Sequence, residues 1–334
     1  MVMTATHATT LSPAAAILWA YVFAEDGTPQ SIPGAEVDAA LATRDGWFWI
    51  HTALADTRCR IWLEQNAPAS PVAREILLGP DEHLRLDVTA DAIAGVLPDL
   101  QRDLTQASME FGRFRFAMTQ RVLITARRHP LHSVELTRRS VEGGAQFPTA
   151  ASLLDGIMDH FADAMGRLAV SLGDELDVVE DRVLRDDLSD ERQRVARARL
   201  QIVRVHRQVA QIRVLFHRLE PRIAVSHAAL AAPLGALIQK FDALEHDFGS
   251  LKERSRDLQD EVATKMTAIT NRRLFTLSIL TACLLPPTLV TGIFGMNTKD
   301  LPFQQEDGGT WYALGLCVLA GALAYWALRR LRAL

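Results

Sequence analysis

The sequence predicts an α+β domain followed by long helices and then two membrane-spanning helices. Three observations carry this. Two charge-free apolar runs, Leu274–Asn297 and Trp311–Leu328, close the chain. A long stretch with apolar residues at helical spacing leads into the first run without a proline after Pro233 until Pro286. Residues 1–150 instead mix aromatic and β-branched runs with helix-like patches.

In the N-terminal part, Ile17–Phe23, Trp47–His51, Arg113–Met118 and Val122–Ala126 have the β-branched and aromatic content of strands. Thr119-Gln120 between Phe111–Met118 and Arg121–Ala126 predicts a tight hairpin. Ala69–Leu78 and Ala90–Leu97 read as helices, the sheet is expected to be antiparallel, and Glu142-Gly143-Gly144 is expected to close the domain. Pro13–Ala24 is too short to span a membrane, and the first basic residue is Arg44, so no signal peptide is expected.

Residues 151–273 read as helical throughout. Ser152 is expected to cap a helix whose apolar positions Leu153, Ile157, Phe161, Met165, Leu168 and Leu172 recur at helical spacing. A second helix is predicted from Ser189-Asp190 to Leu219, stopped by Pro221, and a third from Pro233 into the first apolar run. The third would form a stalk of about 90 Å. The acidic run Asp174–Glu191 and the arginine-rich run Arg192–Arg222 are expected to form solvated, mutually paired faces of the first two helices.

Each apolar run at the end is long enough to cross a hydrocarbon core of about 30 Å. Trp311, Tyr312, Tyr325 and Trp326 sit near the ends of the second run, where amphipathic rings favour the interface. Arg272 and Arg273 precede the first span and Arg329, Arg330 and Arg332 follow the second. The positive-inside rule therefore places both termini in the cytoplasm and the loop 298–310 outside. The domains are expected at 1–150, 151–273 and 274–334, the last with spans at 274–297 and 311–328.

Along the stalk, Phe241, Leu244, Phe248, Leu251, Leu258, Val262, Met266 and Ile269 form one apolar stripe that can pack on the two preceding helices. A polar series runs on roughly the opposite face: His246, Ser250, Glu253, Asp257, Asp260, Thr264 and Thr267. It continues as Asn271, Leu274, Ser278, Thr281, Leu285 and Thr288 inside the first span. Polar groups in hydrocarbon must face protein or water. Two readings stay open: a seam that surrounds an aqueous path, or hydroxyls that only bond back to their own helix beside a solvated stalk face. Two spans cannot enclose a lumen, so the first reading requires copies of the chain in a symmetric ring. Asp257 and Asp260 would then form acidic rings, and Leu274 and Leu285 apolar constrictions. Pro286-Pro287 would free the carbonyls of Ala282 and Cys283 to kink the helix or to meet an ion.

The stretch Leu285-Pro-Pro-Thr-Leu-Val-Thr-Gly-Ile-Phe-Gly-Met-Asn297 resembles the pore helix and Gly-Met-Asn (GMN) loop of the CorA superfamily of divalent metal cation transporters. The resemblance covers essentially the whole chain. Asn271-Arg-Arg-Leu-Phe-Thr-Leu-Ser, the hairpin around Phe114–Arg127 and the opening Trp19–Gly27 are most similar to the ZntB zinc-transporting branch. Thr298-Lys-Asp-Leu-Pro-Phe departs from the Met-Pro-Glu run of magnesium-selective relatives. The resemblance implies a CorA-like, funnel-shaped homopentamer in a bacterial-type inner (plasma) membrane. It implies Gly295, Met296 and Asn297 at the pore entrance, and pore-lining positions at Asn271, Leu274, Leu277, Leu285 and Thr288. The implied cargo is Zn2+, with Mg2+, Co2+ or another divalent cation as the alternative.

Asp300, Glu306 and Asp307 would concentrate cations at the mouth, opposed by Lys299. Passive flux and coupling to protons both fit. No resident metal site is assigned: His129, His132, His206, His217, His227 and His246 are scattered, and Cys59, Cys283 and Cys317 are far apart in sequence. With 40 acids against 36 bases, a net charge of −4 does not suggest a nucleic-acid partner. No phosphate-binding glycine loop, Ser/His/Asp constellation or paired metal carboxylate motif is present, so neither an enzyme nor a cofactor is expected. A non-conducting membrane-anchored sensor or scaffold is the reading from a different class.

Overall fold

The structure, a computed structural model, describes residues 17–66, 70–101, 110–186, 188, 190–226, 231–296 and 308–330. The described strands are β1 (Ile17–Phe23), β2 (Pro29–Ile32), β3 (Trp47–Ala53), β4 (Arg85–Val88), β5 (Ile93–Leu100), β6 (Phe111–Met118) and β7 (Val122–Arg127). They form one sheet in the order β2-β1-β3-β7-β6-β5-β4. The helices are α1 (Val37–Thr43), α2 (Thr57–Asn66), α3 (Pro71–Leu78), α4 (His132–Glu142), α5 (Ala150–Leu184), α6 (Glu191–Ser226), α7 (Ala231–Phe294) and α8 (Gly309–Arg330).

The four expected strands and the β6–β7 hairpin are present. The sheet is mixed rather than antiparallel, because β3 and β7 pair in parallel with Phe48 opposite Val122. The chain between them is long enough to cross over and return in the same direction, which a tight hairpin cannot do. Ala90–Leu97, expected as a helix, lies instead largely in β5, paired along its length with β6. Its three alanines and Leu97 favour a helix locally, but burial between β4 and β6 overrides that preference. Gly95 fits this position because a Cβ there would lie 2.7 Å from the Arg85 carbonyl oxygen. The β4 strand stops opposite Val96, so Pro98 falls where β5 has no β4 partner.

One face of the sheet packs Ala20, Val22, Phe48, Ile50 and Ile124 against Val37 of α1, Trp62 of α2 and Ile76 of α3. The other face carries an aromatic layer in which Phe23 stacks on Trp47 and Trp19 stacks on His51, each at 4.0 Å between ring centroids. Burial, with Arg127 and Arg138 nearby, holds the His51 pKa well below its ordinary value, so the ring is neutral.

The α5 N-cap is Thr149 rather than Ser152. Thr149 Oγ1 accepts from the Ser152 amide, and Ser152 Oγ reciprocates at the Thr149 amide in a capping box. Helix α6 does not stop at Leu219: it runs through Pro221 to Ser226. A proline removes one backbone bond, whereas Leu219 and Ile223 on either side are buried and hold the helix to its packed face. Helix α7 begins at Ala231, upstream of the expected start, with Pro233 in its first turn, where no amide donor is needed.

The expected stripe on α7 is buried at Phe241, Leu244, Phe248, Leu258 and Val262. Phe241 meets Phe161 of α5 and Phe216 of α6. Met266 and Ile269, expected in the same stripe, are exposed. Lys265 pairs with Asp186 in the turn between α5 and α6. Acids of α5 reach α7: Asp177 and Glu180 pair with Arg254, and Asp159 pairs with Lys240. Asp242 of α7 takes Arg213 and His217 of α6.

The chain divides into two compact units, residues 1–185 with 193–257, and residues 186–192 with 258–334. In the first, Asp99 at the end of β5 is fully buried and caps α4. Its carboxylate accepts from the amides of Leu100, Ser133 and Val134 and from the Ser133 hydroxyl. Burial outweighs these donors and pushes its pKa up to about 6. The folded chain thus holds the Asp99 proton more tightly than the unfolded chain does. Its contribution is most favourable in acid, and about 3 kcal/mol is lost as pH rises from near 4 through about 6. Asp99→Asn cannot gain or lose this proton. Its melting temperature in detergent is therefore expected to fall further below wild type at about pH 4.5 than at about pH 7.5. An equal deficit at both pH values would contradict the assignment.

Candidate functional site: a polar seam on a membrane-spanning helix

Among the described residues, α7 and α8 are the two helices long and apolar enough to cross a membrane. Helix α7 remains one element from Ala231 to Phe294, so it keeps the polar series in a single phase from stalk to span. At 100° per residue the buried stripe at Leu258 and Val262 lies about 150° from Asp257 and Asp260. Both series advance by threes and fours, a heptad period, so copies of the seam stay together only if the helices supercoil left-handedly.

Every expected position on this line is exposed: Asp257, Asp260, Asn271, Leu274, Ser278, Thr281, Leu285 and Thr288. Leu277, beside the line, is also exposed. Thr264, Thr267, Thr281 and Thr288 each donate their hydroxyl to the carbonyl four residues back, at 2.8–2.9 Å, as the second reading expects and as Thr270 and Thr276 off the line also do. Back-bonding satisfies the proton within the helix and leaves the oxygen as an acceptor facing outward. A line of acceptor oxygens suits the outward-pointing hydrogens of a hydrated cation.

Helix α8 covers one other face of this segment, while Leu280, Leu284 and Leu289, off the line, are as exposed as the seam. Ile279, Cys283, Pro286, Pro287, Val290 and Phe294 are half-covered, whereas the seam is open. The covering face of α8 is made of Ala313, Cys317, Ala320, Gly321 and Ala324 at helical spacing. Small side chains allow two helices to approach closely in lipid. A Cβ on Gly321 would lie 3.4 Å from Pro287 Cγ and 3.6 Å from the Cys283 carbonyl oxygen. Cys317 Sγ lies 3.7 Å from the Pro287 carbonyl oxygen. Thus the Cys283 carbonyl released by Pro287 faces α8, not the seam, and α7 stays helical through both prolines. The small-residue spacing in α8 is readable in the sequence, but its partner face on α7 is not.

Gly295 and Met296 cap the end of α7, with their amides bonded to the carbonyls of Thr291 and Ile293 at 2.9 and 3.2 Å. Asn297, Asp300, Glu306 and Asp307 lie outside the described residues. Among the described residues no group of three His, Cys, Asp or Glu side chains is placed to hold a metal ion. His206 and His217 instead face Glu245 and Asp242 of α7.

The profile of the family described as CorA-like Mg2+ transporter protein matches residues 44–330. The chain belongs to the CorA-like family. It is therefore a CorA-like divalent cation transporter, in a family of transporters rather than enzymes. Among curated relatives, it is 24% identical over 290 residues to the zinc transport protein ZntB of Yersinia enterocolitica, covering 86% of this chain and 88% of that one. It is 25% identical over 292 residues to the divalent cation transporter CmaX of Pseudomonas aeruginosa, covering 85% and 87%. The solved structure of full-length CmaX superposes with a TM-score of 0.75 at 22% identity, over 95% of this chain and 98% of that one. That likeness establishes a shared CorA-like fold.

Proposed function

We propose that the chain transports a divalent cation, Zn2+ in preference to Mg2+ or Co2+, along the α7 seam at the axis of a homopentamer. The observation that carries this is the exposed line from Asp257 to Thr288 on one unbroken helix, with α8 packed on another face. In this reading residues 1–150 and 151–273 are cytoplasmic, residues 274–334 hold the two spans, and the inner membrane contains them with both termini inside. Asp257 and Asp260 gather cations at the cytoplasmic end. Asn271, Ser278, Thr281 and Thr288 present neutral oxygens or amides to a hydrated ion, and Leu274, Leu277 and Leu285 narrow the path. Gly295, Met296 and Asn297 form the outer entrance, where neutral oxygens hold the ion through its water shell. Asp300, Glu306 and Asp307 raise the cation concentration there. The zinc preference rests on the resemblance to ZntB; the family's own description names magnesium.

Purified protein in liposomes is expected to admit Zn2+ faster than Mg2+ or Co2+, and Asn297→Ala is expected to change the rate at least severalfold. Metal uptake no greater than in empty liposomes would overturn the transport assignment. Faster Mg2+ uptake would overturn only the zinc preference. Imposing a pH gradient on the same vesicles separates proton coupling, which alters the rate, from passive flux.

A further inference from the structure

The arginine-rich face of α6 is not used by the seam, and much of it is not spent on ion pairs. In the first compact unit, α6, the turn at Glu82–Leu84, the start of β6 and Lys252 of α7 line a groove of about 820 Å3. Arg113, Arg207, Arg218 and Lys252 form its cationic rim. Leu84, Val203, Val214 and Leu215 give it an apolar floor. A smaller cavity adjoins it, shares Arg207 and Gln208, and adds Arg204 beside Phe111.

Three features set this groove apart from a solvated charged face. Arg204, Arg207, Arg218 and Lys252 form no ion pair with a carboxylate among the described residues. Glu82, the acid on the groove wall, is spent on Arg128 at 3.0 Å. Arg113 is partly buried, and its guanidinium bonds only neutral groups: the carbonyls of Glu82 and Gly112 and Gln208 Oε1, at 3.3, 3.0 and 3.1 Å. No carboxylate bonds it directly; burial lowers its pKa, and the nearby Glu82 carboxylate offsets this only in part.

We infer that this groove binds a polyphosphate anion, either free or carried by a nucleoside. Guanidinium groups grip phosphate oxygens through paired N–H donors, which favours an arginine rim over a diffuse lysine surface. Arg207 and Arg218 stand three turns apart on α6, about 16 Å, a span that an extended nucleoside triphosphate covers. The groove volume lies within the range of small-molecule sites, and the apolar floor can take a base while the rim takes the phosphates.

The test uses the full-length protein in detergent with a chelator present, so that no metal–nucleotide complex confounds binding. Titrations with ATP, tripolyphosphate and adenosine are followed by calorimetry. ATP or tripolyphosphate is expected to bind and adenosine to bind much more weakly. Tighter ATP binding assigns the floor to a base; equal binding assigns the site to the phosphate chain alone. The double variant Arg207→Glu, Arg218→Glu is expected to weaken binding at least tenfold, whereas Arg60→Glu, outside the groove, leaves it unchanged. Melting and light scattering establish that the variants keep their fold and assembly. No binding by either anion, or binding unaffected by the double variant, overturns the proposal. Dissociation of the oligomer by the double variant also overturns it, because the face would then be a contact between copies.

Discussion

Thr281→Arg is expected to abolish cation uptake in proteoliposomes while leaving the protein folded and assembled. Thr281 is exposed on the seam within the first span, and its hydroxyl already bonds the Leu277 carbonyl. The substitution puts a permanent positive charge where the proposed path carries a divalent cation. At roughly 8 Å and an effective dielectric of about 20, one such charge opposes the ion by about 4 kcal/mol. That alone reduces occupancy about a thousandfold, before other copies in a ring add to it. Thr281→Val keeps the side-chain volume and removes only the hydroxyl, so its expected loss is about tenfold or less. Wild-type flux through Thr281→Arg would show that ions do not follow this face of α7.

Arg115→Leu is expected to be the most destabilising single change in the first compact unit. Arg115 lies in β6 and is 2% exposed, yet it has no carboxylate against it at bonding distance. Its guanidinium donates to the carbonyl oxygens of Ile76 and Asp81 at 2.8 Å each, and to that of Gly79. Two of these carbonyls belong to the last turn and exit of α3, where a helix end leaves acceptors without partners and carries partial negative charge. Leucine fills similar volume but strands all three carbonyls. The expected cost is about 3–5 kcal/mol, a fall of roughly 10 °C in melting temperature. Arg115→Lys retains the charge but not the planar fork and should fall between the two. A melting temperature within a degree or two of wild type would show that water takes over these acceptors at little cost.

Arg115 also shows where sequence reading stops. In Phe111–Met118 it occupies a position that looks like any charged residue on a half-exposed strand. Only the tertiary arrangement brings the end of α3 to it. The same holds for Asp99, most of whose donors lie more than thirty residues away at Ser133 and Val134. The rim of the α6 groove is equally hidden, because it joins β6, the turn before β4, α6 and α7. Errors in element type have the same origin. Ala90–Leu97 has local helix preference, but it becomes a strand through its partners in β6. Leu219 precedes a proline, yet α6 continues because the following turn is buried.

The seam was more legible because its signal is periodic and confined to one helix. Heptad spacing separates the buried Phe241–Val262 stripe from the polar line without reference to any other part of the chain. Charge-free length identifies the spans, since the cost of burying charge in hydrocarbon depends on composition alone. The spacing did not reveal which neighbour covers which face, or where the stripe loses its cover at Met266 and Ile269.

The sequence by itself therefore determined the α+β start, the long helices, the two helices of membrane-crossing length and the phase of the polar line, all of which follow from local periodicity and composition. The tertiary structure decided that β3 pairs with β7 in parallel, that α8 lies against Cys283 and Pro287, and that the seam is left open. Those outcomes depend on contacts between residues distant in the chain. Their free energy is set by burial, close approach and unsatisfied polar groups, none of which is encoded in the spacing of a single segment.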